Sequence, residues 1–114
     1  MTPLKLARTI AELAADKKAE DILILNMRKV ANFCDFFIVC TGTSDRHVKA
    51  IADGIDDGLY LQGIKTRRAS GRKDSRWVIL DLGNVVAHIF DRDAREFYGL
   101  DYLWQEAKAV PWPK

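Results

Sequence analysis

Trp77-Val78-Ile79-Leu80-Asp81-Leu82-Gly83-Asn84-Val85-Val86-Ala87-His88-Ile89-Phe90 reads as two β-rich runs joined by a Gly-Asn pair. Branched and aromatic residues in runs of this length favour strands, and a two-residue turn between them sets antiparallel pairing. Working outward, Phe36 to Thr41 is a nearly continuous apolar run, which predicts a strand buried on both faces and covered by helices. Asp21 to Met27 (DILILNM) predicts a further strand, and Ile64 to Arg68 a short one.

Between and around these runs the period changes to that of a helix. Leu6, Ile10, Leu13 and Ala14 predict a first helix from about Pro3 to Lys17, with Pro3 suited to its first turn. Ser44 is a predicted N-cap, followed by Asp45 at the positive helix end and a stripe of Val48, Ile51, Ala52, Ile55 and Leu59. Gly63 predicts its stop, and Gly54 and Gly58 inside it predict close packing against the sheet. Asp91 predicts the cap of a third helix, interrupted at Gly99 and resuming through Leu103, Trp104 and Ala107. The predicted fold is a single α/β mixed-sheet domain in the order α-β-β-α-β-β-β-α, over residues 1–108, with a short C-terminal tail at 109–114.

The composition, 48% hydrophobic and 30% charged, is that of a globular chain. A net charge of +2 does not by itself imply a nucleic-acid binder. No apolar run approaches the roughly 18 residues of a membrane span, and the first residues carry neither a secretory core nor an Arg- and Ser-rich leader. Cys34 and Cys40 lack both redox and zinc spacing and are predicted to be buried, reduced thiols. A cytoplasmic location follows as the expectation.

Three groups of residues could carry a function. The turn Cys40-Thr41-Gly42-Thr43-Ser44, between a strand and a helix N-terminus, can hold an anion and resembles the Gly-Ser turn of nucleotidyltransferases. A transferase of that kind also needs paired carboxylates for metal ions. Asp81 stands alone on its strand, the run from Ile64 to Arg68 has none, and Asp91 and Asp93 open a helix, where acids serve as caps. No catalytic residue, metal site or cofactor is therefore assigned. His88, in mid-strand, reads equally as a hydrogen-bonded core imidazole or as part of a binding face, whereas His47 is expected to be exposed.

Lys65, Arg67, Arg68, Arg72, Lys73 and Arg76 place six cations in twelve residues, opposed by Asp74. Arg67, Arg68, Arg72 and Lys73 are candidate RNA contacts, although no aromatic is interleaved to stack a base. Trp77, Phe97, Tyr98, Tyr102 and Trp104 crowd into 28 residues among Asp81, Arg92, Arg95 and Asp101. Phe97 and Trp104 are the expected core members, and Trp77 and Tyr98 the expected solvent-facing ones. Trp, Tyr and Arg dominate interface energetics, so an exposed aromatic patch is the preferred reading.

These stretches resemble the ribosomal silencing factor (Iojap-like) family along nearly the whole chain. The resemblance rests on Asp35 to Ser44 with Arg46-His47-Val48, on Trp77 to Phe90, and on Arg95-Glu96-Phe97-Tyr98-Gly99-Leu100-Asp101-Tyr102-Leu103-Trp104. It implies a nucleotidyltransferase-like fold without the catalytic carboxylates, and no enzyme activity. It also implies binding to large-subunit ribosomal protein fourteen, which blocks joining of the large and small subunits, represses translation when nutrients are scarce, and keeps immature large subunits idle. Asn84 stands where an Asp is usual in the family, and the basic stretch from Arg67 to Arg76 replaces one that is often acidic or neutral.

The expected partner-binding residues are Trp77 and Tyr98 as anchors, with Asp81, Leu82, His88 and Arg95 shaping the patch. Contact with ribosomal RNA through the basic loop and pairing of the free protein into a homodimer are further expectations. The rival readings are a nucleotidyltransferase-like enzyme and a self-sufficient RNA-binding module.

Overall fold

The computed structural model describes residues 1–71, 74 and 76–112. In chain order the elements are α1 (Pro3–Asp16), β1 (Glu20–Asn26), β2 (Phe36–Gly42), α2 (Asp45–Tyr60), β3 (Arg68–Ser70), β4 (Trp77–Asp81), β5 (Val85–Asp91), α3 (Arg92–Tyr98), α4 (Leu100–Leu103) and β6 (Lys108–Ala109). The six strands form one mixed sheet in the order β3-β4-β5-β2-β1-β6.

All seven residues of β2 are buried, as its unbroken apolar run requires. It lies parallel to β5, from Phe36 beside Val85 to Gly42 beside Asp91, and antiparallel to β1. Alternation along the strands splits the core into two layers. Phe36, Ile38, Cys40, Val78, Leu80, Val85, Ala87 and Ile89 meet α1 and α2. Phe37, Val39 and Phe90 face the other way, towards Ala94 of α3 and Leu100 of α4. Both cysteines are buried and free, and burial raises their thiols, to about 11 for Cys34 and about 12 for Cys40, so both stay protonated.

The hairpin between β4 and β5 forms in the expected register, Asp81 opposite Val86. Leu82 N–H donates to the Val85 carbonyl at 2.9 Å, and Gly83 takes the positive φ of 91° that a II′ turn requires at its first central position. The Asn84 carbonyl accepts from Asp35 N–H at 2.7 Å and from Phe36 N–H, which locks the turn to the start of β2.

Several boundaries differ from the expectation. The third strand is Arg68–Ser70, not Ile64 to Arg68, because Ile64 packs on the core while the Thr66 hydroxyl donates to Asp56 Oδ1 at 2.5 Å. The interruption at Gly99 falls where it is expected, a left-handed residue (φ 57°) between α3 and α4, but α4 ends at Leu103 rather than near Ala107. Lys108–Ala109 adds an unexpected edge strand on β1, extended by Val110 N–H donating to the Ile24 carbonyl. Trp112 then packs on the α1/α2 layer, and Arg8 Nε holds the Pro111 carbonyl at 3.2 Å.

Gly54 and Gly58 face α1 rather than the sheet. A Cβ at Gly58 would overlap the Leu13 methyls, whereas one at Gly54 would meet the flexible stem of Lys17. Alanine at Gly58 should thus destabilise by about 1–2 kcal/mol, because overpacking exceeds the helix-propensity gain of roughly 1 kcal/mol. Gly54→Ala should be neutral or stabilising, because Lys17 can swing aside. Urea denaturation of the two variants checks the contrast; equal stabilisation of both would mean that α1 is not held at Gly58.

Candidate functional site

Pairing across the sheet puts Trp77 beside Phe90, Ile79 beside His88 and Asp81 beside Val86. It then puts Val86 beside Phe37 and His88 beside Val39. Laterally paired residues point to the same side, so these form rows on the face opposite α1 and α2. The short helices α3 and α4 cover only part of that face, and Ile79, Asp81 and Val86 remain half-buried.

A chain of rings runs across it. Trp77 stacks on Phe90 at 4.9 Å between centroids and meets Tyr98 at 4.6 Å, while Phe97 contacts Tyr98 edge-on at 5.1 Å. His88 sits edge-on to Phe37 at 4.5 Å, and Phe37 leads to Phe33 and Trp104. Tyr98 is 49% exposed, with Phe97 at 79%, Tyr102 at 75% and Leu103 at 67%. Large apolar side chains exposed in this way make the face a candidate interaction surface.

Phe97 is therefore not a core residue. The inward position of α3 is Ala94; Tyr98 follows it by four and leans back over the same face onto Trp77. Gly99 ends the helix before another turn can cover Phe97. Trp104, expected in the core, is half-buried against Phe37.

Trp77 is half-buried, and its indole N–H is already satisfied inside the protein, donating to His88 Nδ1 at 3.1 Å. That bond fixes the His88 tautomer: with Nδ1 accepting, the proton sits on Nε2, a buried atom without a hydrogen-bond partner. Burial lowers the His88 pKa to about 4, since a charged imidazole would lose its hydration.

The remaining expected residues play different parts. Asp81 Oδ1 accepts from Gly83 N–H at 2.7 Å and so braces the hairpin turn. Leu82 packs partly against the α1/α2 layer, away from the rings. Arg95 is a strut: its guanidinium pairs both oxygens of Asp101, with Nη2–Oδ2 at 2.7 Å, and also donates to Thr41 Oγ1 and the Asp21 carbonyl. It ties α3 to β1, β2 and α4. Arg67 and Arg68 are exposed, Arg68 beside Asp81 in the strand pairing. Arg72 and Lys73 lie outside the described residues. Gly71, with φ of 80°, closes tightly on the Trp77 carbonyl, where a Cβ would not fit.

The strand-to-helix turn has its donors taken internally. Thr43 N–H donates to His47 Nδ1 at 2.8 Å and His47 N–H to Ser44 Oγ at 3.1 Å. His47 is not exposed; it is half-buried, and its Nε2–H reaches the Lys17 carbonyl at 2.8 Å. Asp91 Oδ1 caps α3 through Ala94 N–H at 2.7 Å. Among the described residues no three His, Cys, Asp or Glu side chains converge as metal ligands, and no helix is long and apolar enough to cross a membrane.

Comparison with known proteins gives a consistent result. The family model described as ribosomal silencing factor during starvation matches residues 1–114. A ribosomal silencing factor of Halalkalibacterium halodurans is 39% identical over 110 residues, covering 96% of this chain and 94% of that protein. One from Bacillus subtilis is 42% identical over 104 residues, covering 88% of each. A crystal structure from Chromobacterium violaceum superposes with a TM-score of 0.89 at 28% identity, covering all of this chain and 94% of the other.

The His88 environment yields a pH prediction. Its folded pKa of about 4 lies below the usual 6.5, so between those values the unfolded chain binds a proton that the folded chain refuses. Its contribution is complete above pH 6.5 and is lost as pH falls towards 4, by on the order of 3 kcal/mol. Denaturation midpoints at pH 7 and pH 5 should converge in His88→Gln relative to the parent. An unchanged pH slope would mean that His88 is hydrated.

Proposed function

The chain belongs to the ribosomal silencing factor family, and on that premise we propose that it docks on the large ribosomal subunit through ribosomal protein fourteen. Occupying the surface where the small subunit would join, it blocks subunit association by steric exclusion and lowers translation when nutrients are limiting. It acts in the cytoplasm, where its target is, and without catalysis.

The observation that carries this reading is the ring cluster of Trp77, Tyr98 and Phe97 on a rigid sheet face. Large apolar rings held in place before binding lose little entropy when a partner covers them. Tyr98 offers the exposed anchor, Trp77 lies beneath it with His88 fixing its indole, and Arg95 holds α3 at its height above the sheet. Asp81 and Arg68 supply polar groups at the edge. Leu82 acts at the hairpin tip. An exposed apolar patch is a surface that a second copy can cover, and the free protein is proposed to shelter it in a homodimer.

Sedimentation with purified large and small subunits separately tests the reading, and co-sedimentation with the large subunit alone is the expected result. Tyr98→Ala should lose about 2 kcal/mol of that binding, roughly thirtyfold, while melting close to the parent, because the ring is half in solvent. Trp77→Ala is a less clean probe, since it also removes a ring stacked on Phe90. Undiminished binding by Tyr98→Ala would remove the proposed anchor.

A further inference from the structure

The loop between β1 and β2 forms, with Trp104, an open groove of about 550 Å³ lined by Arg28, Lys29, Val30, Ala31, Asn32, Phe33 and Trp104. A smaller hollow of about 140 Å³ adjoins it, sharing Lys29 and Val30 and adding Asn26, Lys108 and Glu106. The groove is built rather than incidental. Met27 and Cys34, at the two ends of the loop, are buried. Met27 N–H donates to the Asp35 carbonyl at 2.8 Å, the Met27 carbonyl accepts from Val30 and Ala31, and Arg28 N–H donates to Asn26 Oδ1.

Within this fixed loop Phe33 is 59% exposed, touching Phe37 and Trp104 on one side. Its other face is open. Arg28 and Lys29 line the same groove. Arg28 lies over the Phe36 ring at 4.7 Å with a long 3.9 Å contact to Asp35, and Lys29 has no ion-pair partner among the described residues. Lys108 extends the positive rim, and Glu106 is the carboxylate of the smaller hollow.

An open aromatic face, a neighbouring amide and cations along one edge match what unpaired nucleotides need. The ring stacks a base, Asn32 can meet a base edge, and the cations follow the phosphates. We propose that this groove binds single-stranded RNA, taking at least one base on Phe33 with the adjoining phosphates on Lys29, Arg28 and Lys108. The groove joins the aromatic face through Phe37. The inference rests on the reading above only in placing that RNA on the large subunit.

The test uses the whole protein and a short fluorescein-labelled oligoadenylate, followed by anisotropy at several salt concentrations. Binding should weaken with salt at a slope of roughly −2 in log–log form for three phosphate contacts. Phe33→Ala should bind about tenfold more weakly while Phe33→Trp retains affinity, and Lys29→Glu should flatten the salt slope by about 1 or less. A Lys49→Glu variant, on the exposed side of α2, should bind like the parent.

No binding at low salt overturns the proposal, as does equal binding of duplex RNA or an unaffected Phe33→Ala. Large-subunit binding lost in Phe33→Ala, with no affinity for the oligonucleotide in the parent, assigns the groove to a protein ligand and also overturns it. A protein that binds the oligonucleotide through Phe33 but sediments with neither subunit keeps the groove and refutes the docking reading instead.

Discussion

Parallel pairing of β2 with β5 is the constraint on which the other elements depend. A strand buried on both faces must be covered from both sides, and parallel neighbours cannot be joined by a tight turn. The chain meets this by running from β2 through α2, β3 and β4 before β5 enters beside β2. The α1/α2 layer then closes one face of the central strands. The other is left to α3 and α4, which together are too short to cover it, so Ile79, Asp81 and Val86 stay half-buried, and the helices themselves add the exposed rings of Phe97, Tyr98 and Tyr102.

That incomplete cover is also held rigid. Arg95 fixes α3 through Asp101, Thr41 and the Asp21 carbonyl, and the Trp77 indole is fixed through His88. The Asn84 carbonyl joins the hairpin tip to the beginning of β2 and so to the loop carrying Phe33. A face with little conformational freedom to lose suits the proposed steric role, in which affinity rather than turnover would set the effect.

Much of this was legible in the residues, for reasons that differ by element. The unbroken run of β2, the Gly-Asn hairpin, and the Ser44 and Asp91 caps each carry a local physical signal, and each stands where it was predicted. Phe97 was misplaced because a seven-residue helix offers too few turns for periodicity to identify its inward side; Ala94 does so, but small residues give a weak signal. His47 and Arg95 hold their partners across long sequence separations, to the Lys17 and Asp21 carbonyls, which no local pattern reveals. Phe33 was missed because a lone apolar residue in a loop has no period at all. Strand β6, two residues long, was illegible for the same reason.

The central claim, that the rings of β4, β5 and α3 form the docking face, is tested most directly by mapping the footprint of the partner. Hydrogen–deuterium exchange of this protein, alone and with purified large-subunit ribosomal protein fourteen, reports which backbone amides become protected. The account predicts new protection in β4, in α3 around Tyr98 and at the Gly83–Asn84 turn, with α1 and the outer face of α2 unchanged. Protection concentrated on α1 and α2, with the ring face still exchanging freely, would contradict it.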